Sequence, residues 1–461
     1  MTVDVCVIGG GPAGAALAIR LAGLGHHVTV VERHRFPRPH VGESLSPAIW
    51  PLLEMLGVRD RVDGGIPAVQ ARVRWHGDER LQAGDGLTVD RGAFDAILLD
   101  AAREAGADVL SPMAARRPVR TSQGWQVPLG NRLLGDRLLP ARFLADATGR
   151  RRLLGGRRTL TGPRTLALHG IWRGGPAPDG TQTRIDTLAE GWLWGAHLPG
   201  GGFRAMAFVD PETARCGLYH RLLAASPLFA DVARTAQLAG QVQVCDATRY
   251  AMPTPIDTDY VKIGEAAFAI DPLSSSGVHT AIQTGVAGAA AVHSILAPDG
   301  DTHAALRYYR DQQHYAVQRH AATAAGVYAE HRAHADAVFW RRRSAPPRLS
   351  LRSRAAPLGE LLPLRVRLPA AAALLDTPCL VGDRIELRRA LTHPALDRPV
   401  AFLAGSELAP LLDQLPTAPS LADAVGSWDH ALPPGRALAI AAWLRQRGLL
   451  EIVPCLTGHD S

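Results

Sequence analysis

Apolar and polar positions along the first part of the chain predict a strand, a helix and a second strand in immediate succession. Asp4 to Ile8 is a short β-branched run that stops at Gly9, Gly10 and Gly11, Pro12 to Gly25 has helical composition, and Val28 to Val31 is a second β-branched run. A βαβ unit of this kind implies a parallel sheet. Phe94 to Ala105 predicts a further amphipathic helix closed by Gly106, and Arg142 to Ala147 a further strand. Between Thr165 and Val261 the pattern changes to alternating strands, at Thr165 to Trp172, Trp192 to Leu198, Phe203 to Val209 and Gln241 to Tyr250. These predict a second, mostly antiparallel sheet inserted into the first domain.

Val278 to Leu296 and Thr302 to Arg342 then read as long helices, followed by an irregular, arginine-rich connector marked by Pro346, Pro347, Pro357, Pro363 and Pro369. From about Thr377 the pattern changes once more. A strand-like Arg384 to Leu387 precedes helical runs near Ser406 to Leu415, Ser420 to Trp428 and Pro434 to Arg447, and Leu450 to Val453 is strand-like. Gly448 is a natural stop for the last helix. Three short helices before a strand resemble a winged-helix module.

Composition narrows the choice of partner. The 461 residues exceed what one hydrophobic core usually serves. The formal charge of +7 is spread over separated arginines with no long basic block, so nucleic acid is not an expected partner. Lys262 is the only lysine among 50 basic residues. The five cysteines, Cys6, Cys216, Cys245, Cys379 and Cys455, are odd in number and form no Cys-x-x-Cys pair, which argues against a disulfide framework and against a metal site. The N-terminal apolar run carries Asp4 and breaks at glycines, unlike a signal peptide. Val278 to Leu296 contains Gln283, Gly285, Gly288 and two histidines, as a buried helix does and a membrane span does not. A reducing, cytoplasmic setting is the expectation.

The chemistry begins at the glycine turn. Gly9, Gly11 and Gly14 form G-x-G-x-x-G between a strand and a helix that opens at Pro12 and Ala13, and Glu32, followed by Arg33, ends the next strand. The glycines let backbone amides approach a pyrophosphate at the positive end of the helix, and the carboxylate accepts from a ribose hydroxyl. A glycine triplet alone is a tight turn; with strand, helix and Glu32 in register it reads as a dinucleotide site.

Further segments carry a resemblance. Leu144 to Arg150, with Asp146 and Gly149, resembles the second FAD motif of the class A flavoprotein monooxygenases. Ile263 to Phe268, through Asp271, Pro272 and Gly277, resembles the third, although Glu265 stands where the family usually has aspartate. Val89-Asp90-Arg91 with Phe94-Asp95, and Val41 to Leu45 with Glu43 and Ser44, match segments of flavin-dependent halogenases and their relatives. The chain thus resembles the flavin monooxygenase and tryptophan halogenase superfamily over residues 1 to 300. The resemblance implies an α/β fold with a Rossmann-like FAD-binding domain (residues 1–164 and 250–300) and an inserted, mostly antiparallel substrate sheet (165–249); the sequence pattern adds a helical extension and connector (301–376) and a small winged-helix-like domain (377–461). It implies FAD as cofactor, with Gly277 and Val278 facing the flavin, and reducing equivalents from NAD(P)H or a partner flavin reductase.

Two features bear on the reaction. Gly191 to Pro199 is similar to the halogenase signature Trp-x-Trp-x-Ile-Pro, but with two extra residues after Trp194. The lysine that flavin halogenases carry upstream of the Val-x-Arg segment is missing, since Ile66 to Trp75 holds Gln70, Arg72 and Arg74 instead. Arginine stays protonated and does not replace a nucleophilic amine. The expected reaction is therefore hydroxylation of an aromatic ring, with halogenation or a small-molecule hydroxylase as the alternatives. Trp194, His197 and His279 are the candidate catalytic residues, and His40 is a further histidine beside a motif. With the C-terminal segment as a possible dock for a peptide, the chain resembles the flavoproteins that hydroxylate a protein-bound tryptophan in tryptophylquinone cofactor biogenesis, as in the maturation of quinohemoprotein amine dehydrogenase. The expected partners are a tryptophan-containing peptide or protein and a flavin reductase.

Overall fold

The computed structural model describes residues 1–131, 135–175, 182–344 and 357–453. The connector prolines Pro346 and Pro347, and Cys455, lie outside the described residues. The chain divides into two compact units, one of Met1–Ala297 with Tyr309–Pro347 and one of Pro298–Tyr308 with Arg348–Ser461.

In the first unit, Val3–Ile8 pairs in parallel with Val28–Val31 on one side and with Gly135–Asp146 on the other. The sheet runs in the order Asp108–Leu110, Val28–Val31, Val3–Ile8, Gly135–Asp146, Gly124–Asn131 and Ala114–Ala115, and Tyr260–Lys262 adds in parallel beside Gly135–Asp146. The crossover helix Pro12–Gly23 starts with proline at its first position, where the missing amide hydrogen costs nothing. It packs closely on the helix Gly277–Leu296 because a Cβ at Gly285 would come within 2.4 Å of the Ala13 carbonyl oxygen. Two helical backbones meet there with no side chain between them.

The second sheet is wider than the sequence pattern predicted. Leu166–Arg173, Phe203–Val209, Gly191–His197 and Gln182–Leu188 form its antiparallel centre, but Ile66–Arg74, Arg80–Thr88 and Ser44–Leu45 extend it from the earlier part of the chain. Ile66–Arg74 joins in parallel, pairing with Gln182–Leu188. On the central strand Gly191–His197 the two faces separate by alternation. Trp192, Trp194 and Ala196 enter an apolar cluster with Trp75, Phe208, Tyr328 and Trp340, whereas Leu193 enters another with Phe203, Leu222 and Phe229.

The long helix expected from Thr302 to Arg342 is two: Thr302–Glu330 and Val338–Arg343. His331 causes the break, because its Nε2 accepts from the His334 backbone amide at 3.0 Å, a bond that replaces a helical one.

The second unit has its own core. Leu391, Leu408, Leu411, Leu421, Trp428 and Ile440 are among its buried residues. The helices Ala409–Leu412, Leu421–Ala431 and Arg436–Gln446 are present in the expected order, and the final strand Glu451–Ile452 pairs with Val366–Arg367. The one long hairpin of this unit among the described residues, Ala373–Val381 with Arg384–Thr392, precedes the helices, whereas the wing of a winged helix follows them. No helix among the described residues is long and apolar enough to cross a membrane, and none of them forms a group of three or more metal-ligating side chains.

Candidate functional site

The glycine turn is built to bring backbone close to a ligand. Gly9 has φ +110°, and a Cβ at Gly14 would lie 2.0 Å from the Gly9 carbonyl oxygen, so neither position accepts a side chain. The helix Pro12–Gly23 has Gly11 as N-cap and no capping side chain, which leaves its first amides open to an anion. Glu32 is 5% exposed and accepts from the Gly10 amide at 2.8 Å and the His34 amide at 2.8 Å, which fixes its carboxylate beside the turn. Arg33 is exposed.

The turn also has a cation that sequence reasoning missed. An Arg38 guanidinium nitrogen lies 3.6 Å from where a Gly11 Cβ would stand, and the same group is 3.4 Å from Asp95. Its Nε is buried without a partner. The only signal in the sequence was a basic residue in the loop after the second strand. A compact turn of amides, an uncapped helix, a ribose-directed carboxylate and an arginine with an uncommitted donor fit the adenosine diphosphate half of FAD.

The loop carrying Glu43 and Ser44 is clamped at both ends. Arg91 is held by a bidentate pair with Asp95 (2.9 and 3.1 Å), and its Nη1 donates to the Val41 and Gly42 carbonyls at 2.8 and 3.3 Å. Glu43 is 3% exposed and accepts from Arg204 Nε and Nη2 at 3.0 and 2.8 Å. Arg204 also lies 3.2 Å from His169 Nδ1. Arg91 and Glu43 are thus committed to holding the loop, and Ser44 pairs with Thr88 in the sheet.

Asp146 is fully buried and accepts from the Thr148 amide and hydroxyl through one oxygen and from the Leu154 amide through the other. It organises the turn that opens at Gly149, where φ is +60°. Glu265 is exposed and ion-paired with Arg150 at 3.0 Å.

The start of the helix Gly277–Leu296 completes the cradle. Val278 packs with Leu45, Ile49 and Ile282, so the Glu43 loop and the helix start share one apolar cluster. Gly277 is exposed, and the Thr280 and Ser46 hydroxyls are buried with no partner in the protein.

Asp271 precedes this helix, ahead of Pro272, and accepts from the Leu273 amide at 3.2 Å and the Tyr328 hydroxyl at 3.1 Å. Burial raises its carboxyl above the usual range, opposed by the Leu273 bond and by the Arg249 charge. Tyr328, 1% exposed, receives a bond from Trp192 Nε1 at 3.2 Å. Trp192, Tyr328 and Asp271 therefore tie the substrate sheet to the turn before the cofactor helix, a link with no sequence signal because Tyr328 lies on a distant helix.

The three candidate catalytic residues do not converge. Trp194 is 7% exposed and lies on the same face of its strand as Trp192. His279 is half-buried on the first turn of the cofactor helix, and burial together with the Arg319 charge lowers its pKa. His197 is three residues from Trp194, so the strand turns it to the opposite face, against Phe203 with ring centroids 5.1 Å apart. Its Nε2 is buried without a partner, and it stands apart from the other two. His40 is exposed and bonded to Val41 O.

Residues 4–154 match the family model for FAD dependent oxidoreductases, and residues 80–356 the model for tryptophan halogenases. The chain is 30% identical over 372 residues to a tryptophan 2-halogenase of Chondromyces crocatus, covering 74% of this chain and 70% of that one. It is 26% identical to LodB, a putative FAD-dependent oxidoreductase of Marinomonas mediterranea, over 74% of this chain and 97% of that one. Among solved structures, QhpG, a peptidyl tryptophan dihydroxylase essential for tryptophylquinone cofactor biogenesis, superposes with a TM-score of 0.77 at 25% identity, over 97% of this chain and 100% of that one. The flavin-dependent halogenase CmlS shares the fold, with a TM-score of 0.78 at 22% identity over 99% and 98% of the two chains.

Proposed function

Because this chain belongs to the tryptophan halogenase family of FAD-dependent oxidoreductases, we propose that it is a monooxygenase that hydroxylates a tryptophan held in a peptide or protein, in the biogenesis of a quinone cofactor. The observation that carries the reading is the position of the only lysine. Lys262 ends a strand of the dinucleotide-binding sheet, beside Asp146, and no lysine stands on the substrate sheet. Where halogenases are expected to carry one, Arg72 is bonded to Glu79 at 2.7 Å and Arg74 to Asp186 at 3.3 Å. Both are permanent cations engaged with carboxylates, and neither offers an amine to capture an oxidised halogen. The likeness to a peptidyl tryptophan dihydroxylase, over 97% of this chain and 100% of that one, supports the choice of substrate. The second reading, halogenation, is favoured by the names of several relatives and by the paired Trp192 and Trp194.

When bound, FAD supplies electron transfer and oxygen activation. The protein's share is positioning and exclusion of water. Arg38 and the glycine turn would hold the diphosphate, Val278 and the amides of the helix start would lie beside the ring, and the helix dipole would favour negative charge there. Trp194 is packed in an aromatic cluster with Trp75, Trp192, Phe208 and Trp340, which excludes water from this part of the sheet. Reducing equivalents come from NAD(P)H directly or through a partner flavin reductase.

Mass spectrometry on a tryptophan-containing partner polypeptide, incubated with the FAD-loaded protein, reductant and oxygen, tests the reading. The expected outcome is added mass in steps of one oxygen, independent of bromide or chloride. A halide-dependent product, or an unchanged polypeptide beside turnover of a free indole or phenol, overturns it.

A further inference from the structure

Away from the cofactor cradle, the dinucleotide-binding sheet carries a cleft of roughly 350 Å³. At its floor lie Lys262, 5% exposed, and Met252, 2% exposed. Trp125 and Tyr260 form aromatic walls, and the exposed residues Arg157 and Thr254 stand at the mouth. Strand alternation separates this cleft from the cofactor side. Ile263 faces the helix Gly277–Leu296, where a Cβ at Gly288 would lie 2.9 Å from its Cγ2. Lys262 and Tyr260 therefore point to the other face, and Tyr260 packs there with Trp125 and Leu154.

Lys262 is the cation at the floor of the cleft, with the carboxylates of Asp146 near it and of Asp257 and Asp259 near Tyr260. Lys262 Nζ donates to the Gly155 carbonyl at 2.9 Å and lies 5.7 Å from the Tyr260 ring centre. An ammonium has three donors, so this bond leaves capacity for a ligand. Arg152 stands close by, bonded to the Gly156 carbonyl at 3.4 Å, and Arg157 adds a third cation at the mouth. The nearby carboxylate of Asp146 has both oxygens occupied by Thr148 and Leu154. The wall is preorganised, because Trp125 Nε1 donates to the Asp259 carbonyl at 2.9 Å.

The use of lysine is itself informative, since 49 of the 50 basic residues of the chain are arginine. Lys262 Nζ sits 3.2 Å from where a Gly156 Cβ would stand, so the wider guanidinium would run into the Gly155–Gly156 turn. Burial lowers the Lys262 pKa, against the pull of Asp146. An anionic ligand would oppose that shift.

We propose that this cleft binds a small aromatic carboxylate, its ring against the wall made by Trp125 and Tyr260 and its carboxylate on Lys262, with Arg157 at the mouth. A buried cation under flat apolar walls suits this class: the ring gains burial and the carboxylate gains a charge-assisted bond.

Calorimetric titration of the FAD-loaded protein with benzoate and with indole-3-carboxylate tests the assignment, with benzyl alcohol and inorganic phosphate as comparisons. Saturable binding of the carboxylates is expected. Lys262→Met should weaken it at least tenfold, and Thr254→Trp, which fills the mouth without touching the floor, should abolish it while FAD content and melting temperature stay unchanged. Absence of saturable binding up to ~10 mM, beyond the millimolar range of weak specific complexes, overturns the proposal. Binding unaltered in Thr254→Trp, or phosphate and benzyl alcohol binding as well as benzoate, overturns it equally.

Discussion

His331 shows how one side chain sets both a chain break and a pH response. Its Nδ1 donates to the Trp75 carbonyl, its Nε2 accepts from the His334 amide, and its ring stacks on Trp340 with centroids 3.6 Å apart. The Nε2 bond requires an unprotonated nitrogen, so the packing accepts the neutral ring alone. Burial lowers the pKa to about 4, the Trp75 bond works against this, and the His334 and His76 charges add to it. In the unfolded chain the same group titrates near ~6.5. Above that pH both states are neutral and the stabilising contacts are fully present. As pH falls from 6.5 towards 4 the unfolded chain takes up a proton that the folded chain refuses, and stability is lost. We expect the unfolding free energy of the wild type to fall over this window more steeply than that of His331→Phe, by up to about 1.4 kcal/mol per pH unit for the one proton. Denaturant titrations at pH 7, 6, 5 and 4 measure it, and parallel profiles would refute it.

At the scale of elements, the close approach of the helices Pro12–Gly23 and Gly277–Leu296 decides whether the glycine turn and the start of the second helix, proposed to face the flavin, are in register. Gly285 faces the Ala13 carbonyl oxygen, and backbone has little room to yield. Gly285→Ala should therefore cost about 1–3 kcal/mol through overpacking, and FAD affinity should fall at least as clearly, because the displaced helix carries Val278. Fluorescence titration of the apoprotein with FAD reads the second effect, and unchanged affinity would show that the helices shift without disturbing the cradle. The first βαβ unit, the cofactor helix and the central strands of the second sheet were legible in the sequence because each has a clean period and a glycine or proline boundary. Ile66–Arg74 and Arg80–Thr88 were not, since Pro67 and three arginines blur the alternation of the two strands. The break after Glu330 was hidden as well, because a histidine side chain makes it and no glycine or proline marks it. In the site, the glycines and Glu32 were readable from local spacing. Arg38, Arg204 and Tyr328 act across 57 to 161 residues of sequence, and Asp95, Glu43 and Asp271 reveal them only once the chain is folded.

At the scale of the whole molecule, the C-terminal unit has a closed core of its own, which sets apart the question of what it does from the question of whether it folds. Trp428 is fully buried there, and its Nε1 donates to the Leu411 carbonyl at 3.1 Å. Truncating it to alanine removes one of the largest buried side chains of that core, at a cost of about 3–5 kcal/mol. None of the residues that form the cofactor cradle belongs to this core. Trp428→Ala should therefore retain FAD at wild-type stoichiometry. If the unit holds a polypeptide substrate, the variant should lose hydroxylation of a protein-bound tryptophan at least tenfold while its turnover of a free indole changes less than twofold, a difference of about 1 kcal/mol or more in favour of the small substrate. Equal losses on both substrates would assign the unit to packing alone. The comparison requires the same enzyme preparation on both substrates, so that any general fall in folded protein cancels in the ratio.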